Sequence, residues 1–180
     1  MKVFFDKRLS AWLDRFAIRD ESGEILFKVK GVMALAQKFL LLDAEGNEIG
    51  AVQETLMPGT HFHLICNGEK IGKVDKKGFF GSHYEVEYKG WQLKGDTIPW
   101  NYWISDAEGQ AAAVLSRTML SGRETYGMEV TNPEDLIPAI MVVLAADSQR
   151  CTSGRRDMKK EMMQSLEKEK AERRASKKRR

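Results

Sequence analysis

Apolar and polar positions alternate through most of the first 130 residues, and then the alternation stops. Tyr84, Val86 and Tyr88 fall on one parity and Glu85 and Glu87 on the other; Phe27 and Val29 oppose Lys28 and Lys30; Tyr126, Met128 and Val130 oppose Gly127 and Glu129. A period of two marks a strand with one buried face. Such runs predict about twelve strands, near 2–5, 14–19, 25–30, 38–43, 49–54, 61–66, 70–75, 82–88, 90–94, 101–105, 110–117 and 125–130. Turn signatures separate them at Asp20-Glu21-Ser22-Gly23, Asp43-Ala44-Glu45-Gly46, Asn67-Gly68 and Asp106-Ala107-Glu108-Gly109. There an Asp or Asn side chain closes the loop and Gly supplies the positive φ that short hairpins require. Gly31 to Gln37 reads as a loop or one helical turn.

Between Asp135 and Asp147 lie eleven residues, Leu136 to Ala146, without a charged or polar side chain. As a helix this run is apolar on every face and needs burial on all sides. It is too short to cross a bilayer, which takes about 20 residues. Thr131 and Asn132 suit an N-cap, Pro133 a first helical position, and Glu134 and Asp135 the positive end of the helix dipole. Pro138 is harmless only if the helix begins at an Asp135 cap, where its missing N–H falls in the first turn; otherwise it kinks the helix. An interior strand of a parallel sheet is the competing reading of so short a run, and the alanines and methionine favour the helix. An antiparallel sheet of twelve strands has edges to hide, and a rod has all of its surface to hide. Closing the sheet around the rod answers both needs, so the chain predicts a mainly β fold, an antiparallel barrel plugged by one C-terminal helix near 134–147.

Charge divides the chain where the hydrophobic pattern ends. Residues 1–150 hold 17 Lys and Arg against 21 Asp and Glu, whereas residues 151–180 hold 12 against 5. A mildly acidic body of 1–150 therefore carries a strongly basic tail of 151–180, suited to an anionic surface. Within the tail, Met158, Met162 and Leu166 recur at helical spacing, and Arg173, Arg174, Lys177, Lys178, Arg179 and Arg180 form a terminal run expected to be disordered. Two cysteines, Cys66 and Cys151, match neither a disulfide framework nor a zinc pattern, and Lys2 and Asp6 interrupt any signal-like apolar stretch. Both point to a reducing, cytoplasmic setting.

Chemistry-bearing motifs are sparse. His61 and His63 share a strand face, but a metal needs further ligands, and only a cross-strand carboxylate could add one; two solvated histidines are the simpler expectation. No Gly-x-Ser-x-Gly elbow occurs, and Gly78-Phe79-Phe80-Gly81 lacks the Lys and Ser or Thr of a phosphate-binding loop. Glu85 and Glu87 read as a solvated sheet surface. The sequence thus offers no catalytic residue, no metal site and no cofactor. Trp12, Trp91, Trp100 and Trp103 are expected to fill the barrel or its rim.

An early Asp-x-x-Gly hairpin, the stretch Trp100-Asn101-Tyr102-Trp103-Ile104-Ser105-Asp106-Ala107-Glu108-Gly109-Gln110-Ala111, the strand Tyr126-x-Met128-Glu129-Val130 and the acidic-capped apolar helix follow one another in an order that resembles the YxjI-like branch of the LURP-one-related proteins. These are similar in fold to tubby C-terminal domains and phospholipid scramblases. The resemblance covers residues 1 to about 148 and implies a twelve-stranded barrel around a central hydrophobic helix. It carries over neither a tubby phosphoinositide site nor the scramblase features, since no proline-rich N-terminal region, cysteine cluster or acidic calcium segment is present.

Two basic groups remain in the body. Lys28, Lys30 and Lys38 flank one hairpin, and Lys73, Lys76 and Lys77 crowd another turn. Solvated lysines are the simplest reading of both; with the tail, they are also the candidate contacts for anionic phospholipid headgroups. The leading expectation is a non-enzymatic cytoplasmic barrel, peripheral at the inner membrane face. Nucleic acid or the ribosome is the alternative partner for a basic tail, and a barrel holding a small apolar ligand is the third.

Overall fold

In the computed structural model, residues 1–7, 14–32, 34, 36–55, 61–77, 83–95, 101–120 and 122–148 are described, with backbone alone for Lys76, Lys77, His83, Arg123 and Glu124. Twelve strands appear in chain order: β1 Lys2–Phe5, β2 Arg15–Arg19, β3 Ile25–Val32, β4 Lys38–Asp43, β5 Glu48–Glu54, β6 His61–Cys66, β7 Glu69–Lys77, β8 His83–Val86, β9 Gln92–Gly95, β10 Tyr102–Ser105, β11 Ala111–Leu120 and β12 Arg123–Val130. Each pairs antiparallel with its sequence neighbour, and β12 returns to pair with β1, so the sheet closes and no edge remains. Turn chemistry sets the hairpins as expected. Asp20 Oδ1 accepts from the N–H groups of Ser22 and Glu24, and Asp43 Oδ1 from those of Gly46 and Asn47. The sheet pattern runs through Gly31 and Val32, which extend β3 and pair with Phe39 and Lys38 rather than starting a loop.

A 3-10 turn, Pro133–Asp135, leads into the helix α1, Leu136–Ser148. Asn132 precedes the turn but makes no side-chain cap hydrogen bond, so of the two possible starts the later one holds. Pro138 is the third residue of α1, where its absent N–H had no acceptor to lose. From Ala139 to Ala146 every residue is fully buried. Around the helix, Val3, Phe5, Ile18, Phe39, Phe62, Leu64 and Met128 project inward from the strands, Met128 and Val130 taking the parity that the alternation assigned them. Gly50 on β5 lets the helix come close: a Cβ there would stand 3.1 Å from the Met141 sulfur and from the Ile65 carbonyl oxygen.

Both ends of α1 are tied to the wall. At its start, the Asp135 carboxylate is only 3 % exposed and receives Lys89 Nζ at 2.8 Å and the Tyr88 hydroxyl at 3.3 Å. That bond raises the Lys89 ammonium above its ordinary value. Lys89 occupies the left-handed region, φ 47, uncommon without glycine, and the turn that holds it brings Tyr88 edge-on to Trp91 at 4.8 Å. At the far end, the Tyr84 hydroxyl donates to Ala146 O at 3.4 Å and Tyr102 lies 3.5 Å from Asp147. The rod therefore spans the barrel from the end with the tight hairpins to the end with the longer connections.

Trp103 departs from the expectation that tryptophans fill the interior or rim. Tyr102 and Ile104 take the inward parity of β10, which leaves Trp103 on the outer wall, 46 % exposed, while Trp91 is buried. Trp12 and Trp100 lie outside the described residues. Replacing Ile140 by Ala would leave a void among atoms already in contact with the barrel. A urea titration should show stability reduced by about 2–5 kcal/mol with an unchanged slope.

Candidate functional site on the outer barrel wall

Directly paired residues of antiparallel strands share a face, so the registers map the wall row by row. One outward row runs Arg15, Lys30, Leu40, Ala51, Ile65 and Lys70 across β2 to β7. The row nearer the hairpin end runs Ala17, Lys28, Leu42 and Glu48. Nearer the opposite end, Val32, Lys38, Gln53, His63 and Lys73 are in register. The chain neighbours of these residues, among them Phe16, Val29, Leu41, Val52 and Leu64, are the buried ones.

Lys28, Lys30 and Lys38 thus come together on adjacent strands. Lys28 Nζ donates to the Ala44 carbonyl at 2.6 Å. Arg15, Lys30, Lys38 and Lys70 make no ion pair among the described residues, so their positive charge is available to an external anion. Lys73 does not join that group. It stands four strands from β3, about 19 Å away at normal strand spacing, and its ammonium is already committed to Asp75 at 2.9 Å and Glu87 at 3.1 Å. Bonding to Asp75, and then to Glu87, raises Lys73 above the usual lysine range. Lys76 and Lys77 place their backbones on β7 with side chains outside the described set. Arg173, Arg174, Lys177, Lys178, Arg179 and Arg180 lie outside the described residues altogether.

The histidine pair gains the cross-strand carboxylate that spacing alone left open. Asp75, opposite His61 in the register, places Oδ1 2.6 Å from His61 Nδ1. His61 is therefore half-buried and bonded rather than solvated. Burial pushes the Asp75 carboxyl up, but the Lys73 and His61 hydrogen bonds outweigh it and hold the group below its ordinary value. Burial lowers His63, and the positive charges of Lys70 and Lys73 lower it further. On the other side of His61, Thr55 donates its backbone N–H to His61 O at 2.9 Å, while its buried hydroxyl has no hydrogen-bond partner among the described residues. Thr55, His61 and Asp75 thus supply the residue types of a nucleophile, base and acid without the hydroxyl–imidazole bond that activates a nucleophile. Among the described residues no three His, Cys, Asp or Glu side chains are placed to hold a metal ion.

The opposite wall has a different character. Its central row runs Lys94, Trp103, Val114, Glu129 and Lys2, and Lys2 is paired with Glu129 at 2.7 Å. Two open grooves flank Val114, one of about 600 Å³ beside Met1 and Glu129 and one of about 360 Å³ beside Trp103 and Lys94.

Arg15 and Lys70 are the wall residues that sequence reasoning missed. Alternation alone turns Arg15 away from the buried Phe16; only the cross-strand register shows that Lys30 stands beside it and that Lys70 closes the same row.

The family model described as LURP-one-related matches residues 1–147. No curated protein and no solved structure gives a significant match to the chain.

Because the folded-state value of Asp75 is depressed, its contribution to stability is complete above the unfolded value near 3.8 and is lost as pH falls through the lower folded value. Asp75→Asn should therefore be less stable than the native chain at neutral pH, and the gap should narrow on acidification below about pH 4. Thermal melts across that range check the convergence.

Proposed function

Because the chain belongs to the LURP-one-related family over residues 1–147, we propose that it is a non-enzymatic barrel that docks reversibly on an anionic membrane surface, at the cytoplasmic face of the inner membrane. The observation that carries this reading is uncompensated positive charge. Residues 151–180 hold 12 Lys and Arg against 5 Asp and Glu, and the wall adds Arg15, Lys30, Lys38 and Lys70 without ion-pair partners among the described residues. Each basic residue close to a charged bilayer contributes about 1 kcal/mol. A tail with this excess, which includes Arg173, Arg174, Lys177, Lys178, Arg179 and Arg180, holds a protein at the surface without an anchor. No helix among the described residues is long and apolar enough to cross a membrane.

A basic tail binds nucleic-acid phosphates by the same physics, but the wall favours lipid. Between the cations of its central row stand Leu40, Ala51 and Ile65, where a single-stranded nucleic acid would call for aromatic stacking platforms. An apolar ligand inside the barrel is disfavoured because α1 fills the interior.

Co-sedimentation with phosphatidylcholine vesicles, with and without phosphatidylserine, tests the proposal on the full chain and on a chain ending at Gly154. Pelleting should require the anionic lipid, fall with added salt and weaken sharply on truncation, and RNA should compete poorly. Equal pelleting of the two chains, or none with anionic lipid at low salt, sinks it.

A further inference from the structure

We infer that the barrel lies on its side against the bilayer, with the outer face of β2 to β7 as the contact and Leu40, Leu42 and Ile65 seated among the lipid headgroups. The inference rests on the membrane reading above and adds to it a defined face of the folded body. In the central row, cations stand at both ends, Arg15 and Lys30 on one side and Lys70 on the other, with Leu40, Ala51 and Ile65 between them. Lys38 and Lys28 extend the basic flank towards the two ends of the barrel. Leu40, Leu42 and Ile65 are half-buried yet lie outside the cluster that packs on the core, as their outward parity requires. Ala51, between Leu40 and Ile65, is 1 % exposed, so the apolar contact rests on Leu40, Leu42 and Ile65.

An apolar stripe rimmed by cations matches the chemistry of a bilayer surface better than that of a charged polymer. Lysine and arginine stems run along apolar surface while their charged heads reach outward, here to lipid phosphates on both flanks as the leucines meet the boundary between headgroups and acyl chains. The six-strand row follows about 24 Å of the curved wall at normal strand spacing, nearly half of the twelve-strand circle, so β4 and β5 meet the surface first and Arg15 and Lys70 reach down from its two sides. Acidic groups near the face do not oppose this uniformly: Asp75 is ion-paired to Lys73 and hydrogen-bonded to His61, and Glu48 stands at the hairpin edge. The central row of the opposite wall also ends in lysines, Lys94 and Lys2, but Lys2 is already paired to Glu129 within that row, so among the described residues the row has one uncompensated cation and not a cationic flank on both sides.

Two measurements on the full chain test the orientation. Hydroxyl-radical footprinting with phosphatidylserine-containing vesicles should protect Leu40, Leu42 and Ile65 and leave Trp103 and Met119, exposed on the other wall, unchanged. The double variant Lys30→Gln, Lys38→Gln changes two outward side chains and should keep the native circular dichroism spectrum. It should bind the same vesicles on the order of twentyfold more weakly, roughly fivefold per lysine. A full-length chain with Arg173, Arg174, Lys177, Lys178, Arg179 and Arg180 all changed to Gln separates the tail from the wall, and should retain the Leu40, Leu42 and Ile65 footprint at raised vesicle concentration. Protection of Trp103 and Met119 instead, or a double variant that binds within twofold of the native chain, overturns the side-on contact while leaving membrane association standing. Protection of the β2–β7 face by RNA and not by vesicles also overturns it. A native chain that binds no anionic vesicle removes both proposals.

Discussion

An α-helix with no polar face has one requirement, that apolar atoms surround it on every side, and the architecture follows from that requirement. A single sheet layer covers one side of such a rod, and two layers leave seams. Twelve strands that close on themselves leave none, and the closure also removes the unpaired strand edges that a large antiparallel sheet would expose. Wall and rod are each incomplete alone. Charged residues gather where the rod reaches the rim, with Lys89 and Tyr88 gripping Asp135, so the one buried carboxylate at the start of α1 has both a counter-charge and a hydroxyl donor.

The filled interior leaves the outer surface of the barrel to face solvent. A barrel that carries a ligand keeps a cavity along its axis; here Ile140, Met141, Val142 and Val143 occupy that axis with no exposure to solvent. What remains is a cylinder whose outer rows differ in character. One side sets half-buried Leu40 and Ile65 between cations, another carries paired charges and a tryptophan, and the His61–Asp75–Lys73–Glu87 chain of contacts stitches β6, β7 and the residue after β8 together between them.

The fold was legible because its signals are local. Period-two alternation gave the strands, Asp and Gly gave the turns, and the unbroken run from Leu136 to Ala146 gave the plug. Pro138 left two possibilities open, a kink or a later start, and the structure settles on the later start at Leu136. Contacts between distant strands were not legible. Lys30 and Arg15 are fifteen residues apart in the chain and become neighbours through a register that a bulge at Ile18–Arg19 shifts. Lys73 looked like a member of a basic cluster because one of its two partners, Glu87, reaches it only across the sheet, although Asp75 stands two residues along on its own strand. Trp103 misled for a related reason: its bulk suggested the core, but parity within β10 gave the inward places to Tyr102 and Ile104.

Closure between the first strand and the twelfth carries a consequence for how the molecule comes into being. The Met1 amino group donates to Val130 O across a separation of 129 residues, and the rod is synthesised after every strand that will enclose it. A nascent chain that has emitted β1 to β11 has hairpins but neither its closing seam nor its filling, and the inward faces of those hairpins are wet until α1 arrives. The closing seam and the packing of α1 are the contacts of long sequence separation, which form slowly, and the half-made barrel is the species that chaperones on the ribosome would meet.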